Sequence, residues 1–544
     1  MRMVQYISKY WNVFLLLTIL VFAAYGNSLG NTFLSDDHGL EQVLPTMNLS
    51  YILARPTTGM LRNVVYFIVY IFASLTPWAF RLTNIAFHLA NTILIFILVK
   101  KLMNQRTAFF SSVIFAVHPL LVESITWVAG GVYPQYSFFF LLALVSYLYS
   151  YQKKGLYALS VMSFALSLLS SDKAVVLFPL FVGVEFCFGN LKKNWQRLIP
   201  YFVATLILAS ALVFTSQVSQ RVALLQNDYY QQRGNDDMFV KLPTILSSYF
   251  ELYIWPQRLT FYHSEFHIPQ LEFAIRLIVT GLFFLSGLVA LYFNRKLAYW
   301  FLFFVTPVLL TLTPLRVAWA VAERYIYLSL IGLTTLSGYA ISLLWQKKQL
   351  KTIITILFVL VIGALLTRTI IRNMDFRDDD ALWLATNIYS PNSTQNLNNL
   401  GDYYARKGDY QKSITSYEKA LKLNPNYADV YNNLANTYGQ MGQSEKAISL
   451  YEKAISINPG LWQTYQNIAS LYVNSKQYDL AVANMEKARD VHPEIARVWS
   501  NLGVTYQLAG LTDKARTAFE QALRLDPNEQ GAIDGLAKIS KSQL

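Results

Sequence analysis

Cysteine is nearly missing. Cys187 is the only one in 544 residues, which excludes an intrachain disulfide framework and any multi-cysteine metal site. Charge is scarce too: 14% of residues are charged against 54% hydrophobic, and mean hydropathy is +0.32. That balance excludes one large soluble protein and a disordered chain, and places most of the polypeptide in lipid. No glycine-rich phosphate loop occurs, so nucleotide-sugar or ATP use is not indicated, and no His-Glu-x-x-His pattern occurs. Acidic residues are the rarer sign, leaving a net charge of +13. Residues 381–544 are almost balanced, with 16 basic and 15 acidic residues, so the excess of 29 over 17 lies in residues 1–380. Basic residues beside apolar runs set membrane orientation, and nucleic acid is not an expected partner.

What is present is a series of apolar runs near the ~20 residues needed to cross a bilayer. They fall at 11–29, 83–101, 107–126, 133–151, 156–171, 174–190, 198–215, 273–293, 298–315, 324–345 and 352–371, giving eleven expected spans. Basic clusters follow every second run: Arg2 and Lys9 before the first, then Lys100/Lys101/Arg106, Lys153/Lys154, Lys192/Lys193/Arg197, Arg295/Lys296 and Lys347/Lys348/Lys351. The positive-inside rule makes those faces cytoplasmic, with the N-terminus inside and everything after Ile371 outside. Two further stretches, 60–77 and 242–256, would break the alternation as single crossings and are read as interfacial or re-entrant helices. The first run is long for a signal peptide and reads as a signal anchor.

With that orientation, the outer face gathers Asp36, Asp37, His38, Glu41 and Arg55, then His118 and Glu123, then Asp172 and Lys173, then His263, Glu265 and His267, then Arg316, Glu323 and Arg324. Ionisable groups in or beside spans are costly and face a cavity or one another, so their grouping points to an active site on that side. The spacing of His263, Glu265 and His267 suits a loop better than a metal site, and no metal is expected.

The C-terminal part repeats. Proline recurs at 391, 425, 459, 493 and 527, a constant interval of 34. In phase with it run Asn399, Asn433, Asn467 and Asn501, then Tyr404, Tyr438, Tyr472 and Tyr506, then Gly408, Gly442, Lys476 and Gly510 at the turn. Tyr417, Tyr451, Met485 and Phe519 precede Ala420, Ala454, Ala488 and Ala522 by three residues. This is the tetratricopeptide pattern, four repeats and a terminal helix stacking as an α-solenoid. The asparagine series lies on the inner helix. Its amides either grip an extended acceptor peptide, since an amide donates and accepts at once, or satisfy neighbouring backbone. The expected organisation is all-α: a polytopic membrane domain over 1–371, a linker over 372–391 and repeats over 392–544.

Asp36-Asp37 carries the chemistry. A glycosyl transfer needs a carboxylate to take the acceptor hydroxyl's proton as that oxygen attacks the anomeric carbon; a solvated loop pair or a calcium site is the plainer alternative. Phe33-Leu34-Ser35-Asp36-Asp37, Phe115-Ala116-Val117-His118-Pro119 with Glu123, Ala322-Glu323-Arg324-Tyr325-Ile326-Tyr327-Leu328 and the trailing repeats, in that order, resemble the transmembrane and tetratricopeptide-repeat-containing O-mannosyltransferases and their bacterial relatives. These are glycosyltransferases of the GT-C class. The resemblance implies a polyprenyl-phosphate-linked sugar as donor, no cofactor or divalent metal, Asp36 as general base and Asp37 orienting it or touching the acceptor. It also implies Arg324 as a ligand of the donor phosphate, with the alternative that Arg324 simply pairs with Glu323. His118 and Glu123 would line the pocket with Arg55 and Glu323, provided Pro119 breaks the helix between them, the alternative being that His118 is a structural cap. Many relatives show Ser-Lys-Glu where this chain has Ser171-Asp172-Lys173, and Lys173 remains a candidate phosphate contact. The expected setting is a bacterial cytoplasmic membrane, with the repeats outside and Ser or Thr of a protein as acceptor. A lipid-linked oligosaccharide ligase or polymerase, or a non-enzymatic membrane-anchored scaffold, are the alternatives.

Overall fold

The computed structural model describes residues 3–54, 59–214, 238–263, 269–312, 319 and 321–542. It is helical, with no strand among those residues beyond an isolated bridge between His263 and Val321. Two compact units divide at Ser390/Pro391.

Every one of the eleven expected runs contains a helix, but the helices differ in length. Among the described residues six are long and apolar enough to cross a membrane: Ser8–Gly30, Pro77–Leu102, Ala129–Tyr149, Leu191–Leu212, Gln270–Phe293 and Lys351–Asp375. A seventh arises if the bent pair Gln105–Val117 and Pro119–Thr126 counts as one span. The chain is therefore an integral membrane protein. The stretches read as interfacial or re-entrant form shorter helices, Met60–Ala73 and Met238–Ile254.

Local sequence sets these boundaries. Pro77 opens its helix at the first turn, where its missing N–H costs nothing, and Lys100 and Lys101 close it against the negative end of the dipole. Asn104, Asn190 and Asn294 cap helices beside basic clusters, accepting from Thr107, Lys193 and Leu297 N–H. The Leu330–Gln346 helix comes close to two neighbours because Gly332 and Gly338 lack a Cβ. One at Gly332 would stand 2.6 Å from Trp300 O and Phe304 N, and one at Gly338 2.9 Å from Thr107 O and Ser111 N. Small residues at such crossings are the usual device for packing helices in lipid.

Regular helix fails at one set of turns. The Gln105–Val117 helix breaks at His118-Pro119 with a 56° bend, and short 3₁₀ segments occupy Asp172–Leu177 and Glu323–Ile326. Irregular backbone in a membrane domain is tolerated where protein or a cavity surrounds it. Each of these breaks carries site residues expected from the sequence.

The segment 372–391, expected as a linker, is folded. The last long helix runs on to Asp375, a further helix covers Asp379–Tyr389, and both belong to the first unit.

In the second unit, paired helices repeat from Thr394–Arg406 and Tyr410–Leu423 through to Gln530–Ser542. Tyr417 and Phe519 lie directly over Gly401 and Gly503, where any Cβ would meet the ring. Gly408, Gly442 and Gly510 turn the chain with φ of +77°, +77° and +76°, and Lys476 is held at +58° in the same place. Left-handed backbone costs a side-chain-bearing residue roughly 1–2 kcal/mol, partly offset in glycine by its greater freedom when unfolded. Lys476→Gly should therefore stabilise the repeats by about 0.5–1 kcal/mol, read as a rise in the melting temperature of the full chain, whereas Gly442→Lys should lower it.

Candidate active site

The loop bearing Asp36 and Asp37 follows the first span and is held on three sides. Beneath it, the buried Phe33 packs edge-on against Phe80, which Tyr66 meets from the other side, and Tyr66 Oη donates to Val128 O at 2.5 Å. Arg81, fully buried, donates from Nε to Thr126 O at 2.8 Å and from its two other nitrogens to Asn31 O and Thr32 O. From the end of the last long helix, Phe376 O and Asn373 O accept from Asn31 Nδ2 at 2.9 and 3.0 Å, and Arg377 O accepts from Thr32 N at 2.9 Å.

Asp379 completes the clamp. Its Oδ1 accepts from Ser35 N at 2.8 Å and its Oδ2 bonds His38 Nε2 at 2.8 Å, while His38 Nδ1 meets Glu41 Oε2 at 2.7 Å. A histidine bridging two carboxylates donates from both nitrogens only as the imidazolium. Ser35 sits at φ +53°, a left-handed conformation that needs such support.

The two aspartates are placed differently. Asp36 is exposed, and its carboxylate makes no hydrogen bond or ion pair among the described residues. Asp37 is fully buried; its Oδ1 accepts from Ala129 N at 2.7 Å and its Oδ2 from Leu34 N at 3.4 Å. Asp37 is thus a buried anchor for the loop. Burial pushes its carboxyl up to about 7, against the pull of the Ala129 N–H and the Arg81 guanidinium.

His118 occupies the helix break as a cap. Its Nδ1 accepts from Leu120 N at 3.3 Å, its Nε2 donates to Tyr253 O at 3.1 Å, and its ring stacks on that of Tyr253 with centroids 5.1 Å apart. Both nitrogens are thereby used by one neutral tautomer. The break turns the following residues so that Glu123, fully buried, faces the Glu323–Ile326 turn. There Glu123 Oε2 accepts from Arg324 N at 2.9 Å, and Oε1 pairs with the Arg324 guanidinium through Nη1.

The pairing of Arg324 with Glu323, one alternative from the sequence, does not form. Glu323 Oε1 instead bonds Arg372 Nη2 at 3.0 Å, with His263 Nε2 3.7 Å away, and Arg372 Nη1 bonds Asp375 Oδ2 at 2.9 Å. Two buried acid–base pairs thus cross between elements distant in sequence.

Arg324 keeps an open edge. Its Nε and Nη2 have no hydrogen-bond partner among the described residues, its side chain is 12% exposed, and its Cζ lies 5.5, 5.9 and 5.1 Å from the ring centres of Trp127, Phe261 and Tyr325. Tyr325 adjoins Tyr133 with centroids 6.2 Å apart, and Lys173 Nζ lies 5.4 Å from the Tyr133 ring while pairing with Asp172 at 3.4 Å. Lys173 and Arg324 therefore share one aromatic wall. Arg55, Glu265, His267 and Arg316 lie outside the described residues. Among the described residues no group of three His, Cys, Asp or Glu side chains is disposed to hold a metal.

Known proteins can now be set beside this geometry. A tetratricopeptide-repeat family profile matches residues 392–459 and 462–528. The sequence is 22% identical over 400 residues to protein O-mannosyl-transferase TMTC3 of Homo sapiens, covering 65% of this chain and 43% of that protein. It is 32% identical over 110 residues to protein O-mannosyl-transferase Tmtc2 of Drosophila melanogaster, covering 20% of this chain and 12% of the relative. In sequence and in its order of apolar helices followed by repeats, the chain is similar to these transmembrane O-mannosyl-transferases. It spans about half the length, or less, of the curated relatives it matches. Among solved structures, the crystal structure of MamA protein aligns at 24% identity over 28% of this chain and 84% of its own, with a TM-score of 0.24.

Sequence reasoning missed Arg81, Arg372 and Asp379. Arg81 and Arg372 were legible in principle, as lone arginines within long apolar helices, where an ionisable residue faces a partner or a site. Each fell one or two residues outside the run drawn around it. Asp379 carried no such signal, being one of three consecutive aspartates in the expected linker.

Asp379→Asn removes the negative charge and leaves one acceptor oxygen for two donors. Hydrogen exchange of peptides spanning residues 33–38 should accelerate roughly tenfold, and Ser35→Gly in that background should slow it again if Asp379 is what holds the left-handed turn, because glycine adopts that turn without strain. The loop should also loosen with rising pH. Burial raises Asp37 from 3.8 to about 7, and the hydrogen bonds that His38 donates to Glu41 and then Asp379 raise His38 above 6.5. Raised folded values mean that both contributions are full below the unfolded values and lost as pH rises through the folded ones. Exchange of this loop, corrected for intrinsic rates, should rise from about pH 4 to 7 through Asp37 and further above pH 6.5 through His38, the first rise being lost in Asp37→Asn.

Proposed function

We propose that the chain is a membrane glycosyltransferase that moves a single sugar from a polyprenyl-phosphate carrier to a hydroxyl, Ser or Thr of a protein, at the outer face of the membrane. The names of its relatives favour mannose as the sugar. The observation that carries this reading is the segment 123–129. Its Glu123 holds Arg324, its Trp127 walls the Arg324 guanidinium, and its Thr126 and Ala129 fasten the loop that presents Asp36. One short stretch of chain thus joins an exposed carboxylate to a guanidinium with a free edge.

In the reaction, Asp36 takes the proton from the acceptor hydroxyl as its oxygen bonds to the anomeric carbon. The bond from that carbon to the phosphate oxygen breaks with its electron pair, and the configuration inverts. The new charge on the carrier phosphate falls to the free Nε and Nη2 of Arg324, two parallel donors matched to two phosphate oxygens, with Lys173 adding a point charge. Glu123 neutralises and aims Arg324 before the donor arrives. The carrier's tail stays in the bilayer, so no soluble donor is needed.

Transfer of radiolabelled sugar from a short-chain polyprenyl-phosphate donor in proteoliposomes tests these roles. Asp36→Asn should lower transfer ~10²–10⁴-fold with insertion and folding intact; near-normal transfer would move the base elsewhere. Arg324→Lys keeps the charge but not the fork, and should weaken use of the donor. Equal kinetics would leave Arg324 a structural partner of Glu123.

The repeats are proposed to hold the acceptor. Their asparagine series is also a zipper: Nδ2 of Asn433, Asn467 and Asn501 donates to Asn398, Asn432 and Gln466, each 35 residues earlier, at 3.0, 3.1 and 2.7 Å. Asn399 has no such partner among the described residues, so it separates peptide contact from stacking. Asn399→Ala should reduce transfer to a protein acceptor at an unchanged melting temperature. Removing the other three should also lower that temperature, by about 1 kcal/mol of stability for each bond. Unchanged transfer in both variants would end the peptide-groove reading.

A further inference from the structure

A second site lies at the other end of the membrane unit. The Gln105–Val117 helix runs from Arg106 to the His118 break, about 18 Å at 1.5 Å per residue. Beside its first turns a slot of about 580 Å³ opens between it, the first helix, the Leu330–Gln346 helix and the Lys351–Asp375 helix. Leu20, Val113 and Ile362 line its depth, and Arg106, Trp345 and Thr355 stand at its mouth. Protein interiors are close-packed, and an apolar void of this size offers water nothing to bond, so in a bilayer hydrocarbon fills it.

The mouth is built for a negative charge. Trp345 donates from Nε1 to Thr355 Oγ1 at 3.1 Å, which fixes its ring, and two cations lie over that ring: Arg106 with Cζ at 5.3 Å and Lys351 with Nζ at 4.5 Å from its centre. Neither cation has an acidic partner among the described residues. Lys100, Lys101, Lys347 and Lys348 adjoin them in sequence, and no Asp or Glu occurs in residues 1–35, 42–122 or 324–374. Among the described residues no carboxylate balances the charge at this mouth.

We infer that the slot binds one acidic glycerophospholipid, an acyl chain between the four helices and the phosphate between Arg106 and Lys351. Basic pockets between membrane helices recognise acidic headgroups in this way. The donor carrier is also an acidic lipid, but its phosphate is assigned to Arg324 at the opposite end of the Gln105–Val117 helix. The inference stands on the slot and its cations and does not depend on the proposed reaction.

Fluorescence quenching of the full chain in nanodiscs tests it, with acyl-brominated phosphatidylglycerol, acyl-brominated phosphatidylcholine and a brominated polyprenyl phosphate as probes. The Trp345 signal is the difference between the native chain and Trp345→Phe. Brominated phosphatidylglycerol should quench that signal at a mole fraction at least about tenfold lower than the phosphatidylcholine. Arg106→Ala with Lys351→Ala should abolish the difference, native melting behaviour confirming the fold. Equal quenching by the two phospholipids would mean unselective surrounding lipid and overturn the site. Preferential quenching by the polyprenyl phosphate would overturn the assigned occupant. Should the double variant misfold, competition of unlabelled phosphatidylglycerol against the brominated form on the native chain decides the same point, since a site releases the probe at stoichiometric lipid and a belt does not.

Discussion

The buried pair of Glu123 with Arg324 is the constraint from which the membrane unit's irregular end follows. A carboxylate or a guanidinium alone in this setting would cost several kcal/mol, and removing one partner of a buried pair typically costs about 3–5 kcal/mol. The two side chains belong to stretches 200 residues apart in sequence, and both must reach inward. Continuous helix through His118-Pro119 would point Glu123 away from the Glu323–Ile326 turn; the 56° bend turns it toward that turn. Once the bend exists, residues 126–129 run where they can bind Arg81 and Asp37. The loop bearing Asp36 is then attached to the same stretch of chain as Arg324.

A second pair reinforces the first. Glu323 cannot turn to its neighbour Arg324, which is committed to Glu123, and takes Arg372. Arg372 in turn draws the end of the last long helix, with Asn373 and Phe376, beside the first loop. Alternating pairs of this kind spread one set of charges over four segments. They explain why the stretch after Ile371 is folded: Asp379 lies one turn beyond the residues that these contacts place.

The repeats were legible almost completely, because a 34-residue period needs only local packing and leaves its small, aromatic and turn positions in phase. Even Lys476, out of pattern by residue type, keeps the backbone of the glycines it replaces. The membrane unit was legible as helices and as a set of site residues, since apolar length and misplaced charge are strong signals. What could not be read was partnership. His118 and Glu123 were expected to share one pocket, yet His118 spends both ring nitrogens on backbone while Glu123 holds Arg324. The adjacent Asp36 and Asp37 looked equivalent and are opposite, one exposed and one buried. Such distinctions depend on segments hundreds of residues away, and no local pattern records them.

The division of labour among the polar groups locates the chemistry more sharply than their proximity does. Arg81, Asp37, His38, Glu123, Glu323, Arg372 and Asp379 are all engaged with other parts of the chain, and each bond shapes either the first loop or the Glu323–Ile326 turn. Among the described residues some buried capacity stays unused inside this network, at Glu323 Oε2 and Arg372 Nε. Two unpaired groups are also accessible: the exposed Asp36 carboxylate and the Nε–Nη2 edge of Arg324, walled by aromatic rings. An acceptor-only group and a two-donor fork are complementary to a hydroxyl losing its proton and to a phosphate gaining charge. On the proposed reading, the surrounding network holds those two groups in place for a substrate.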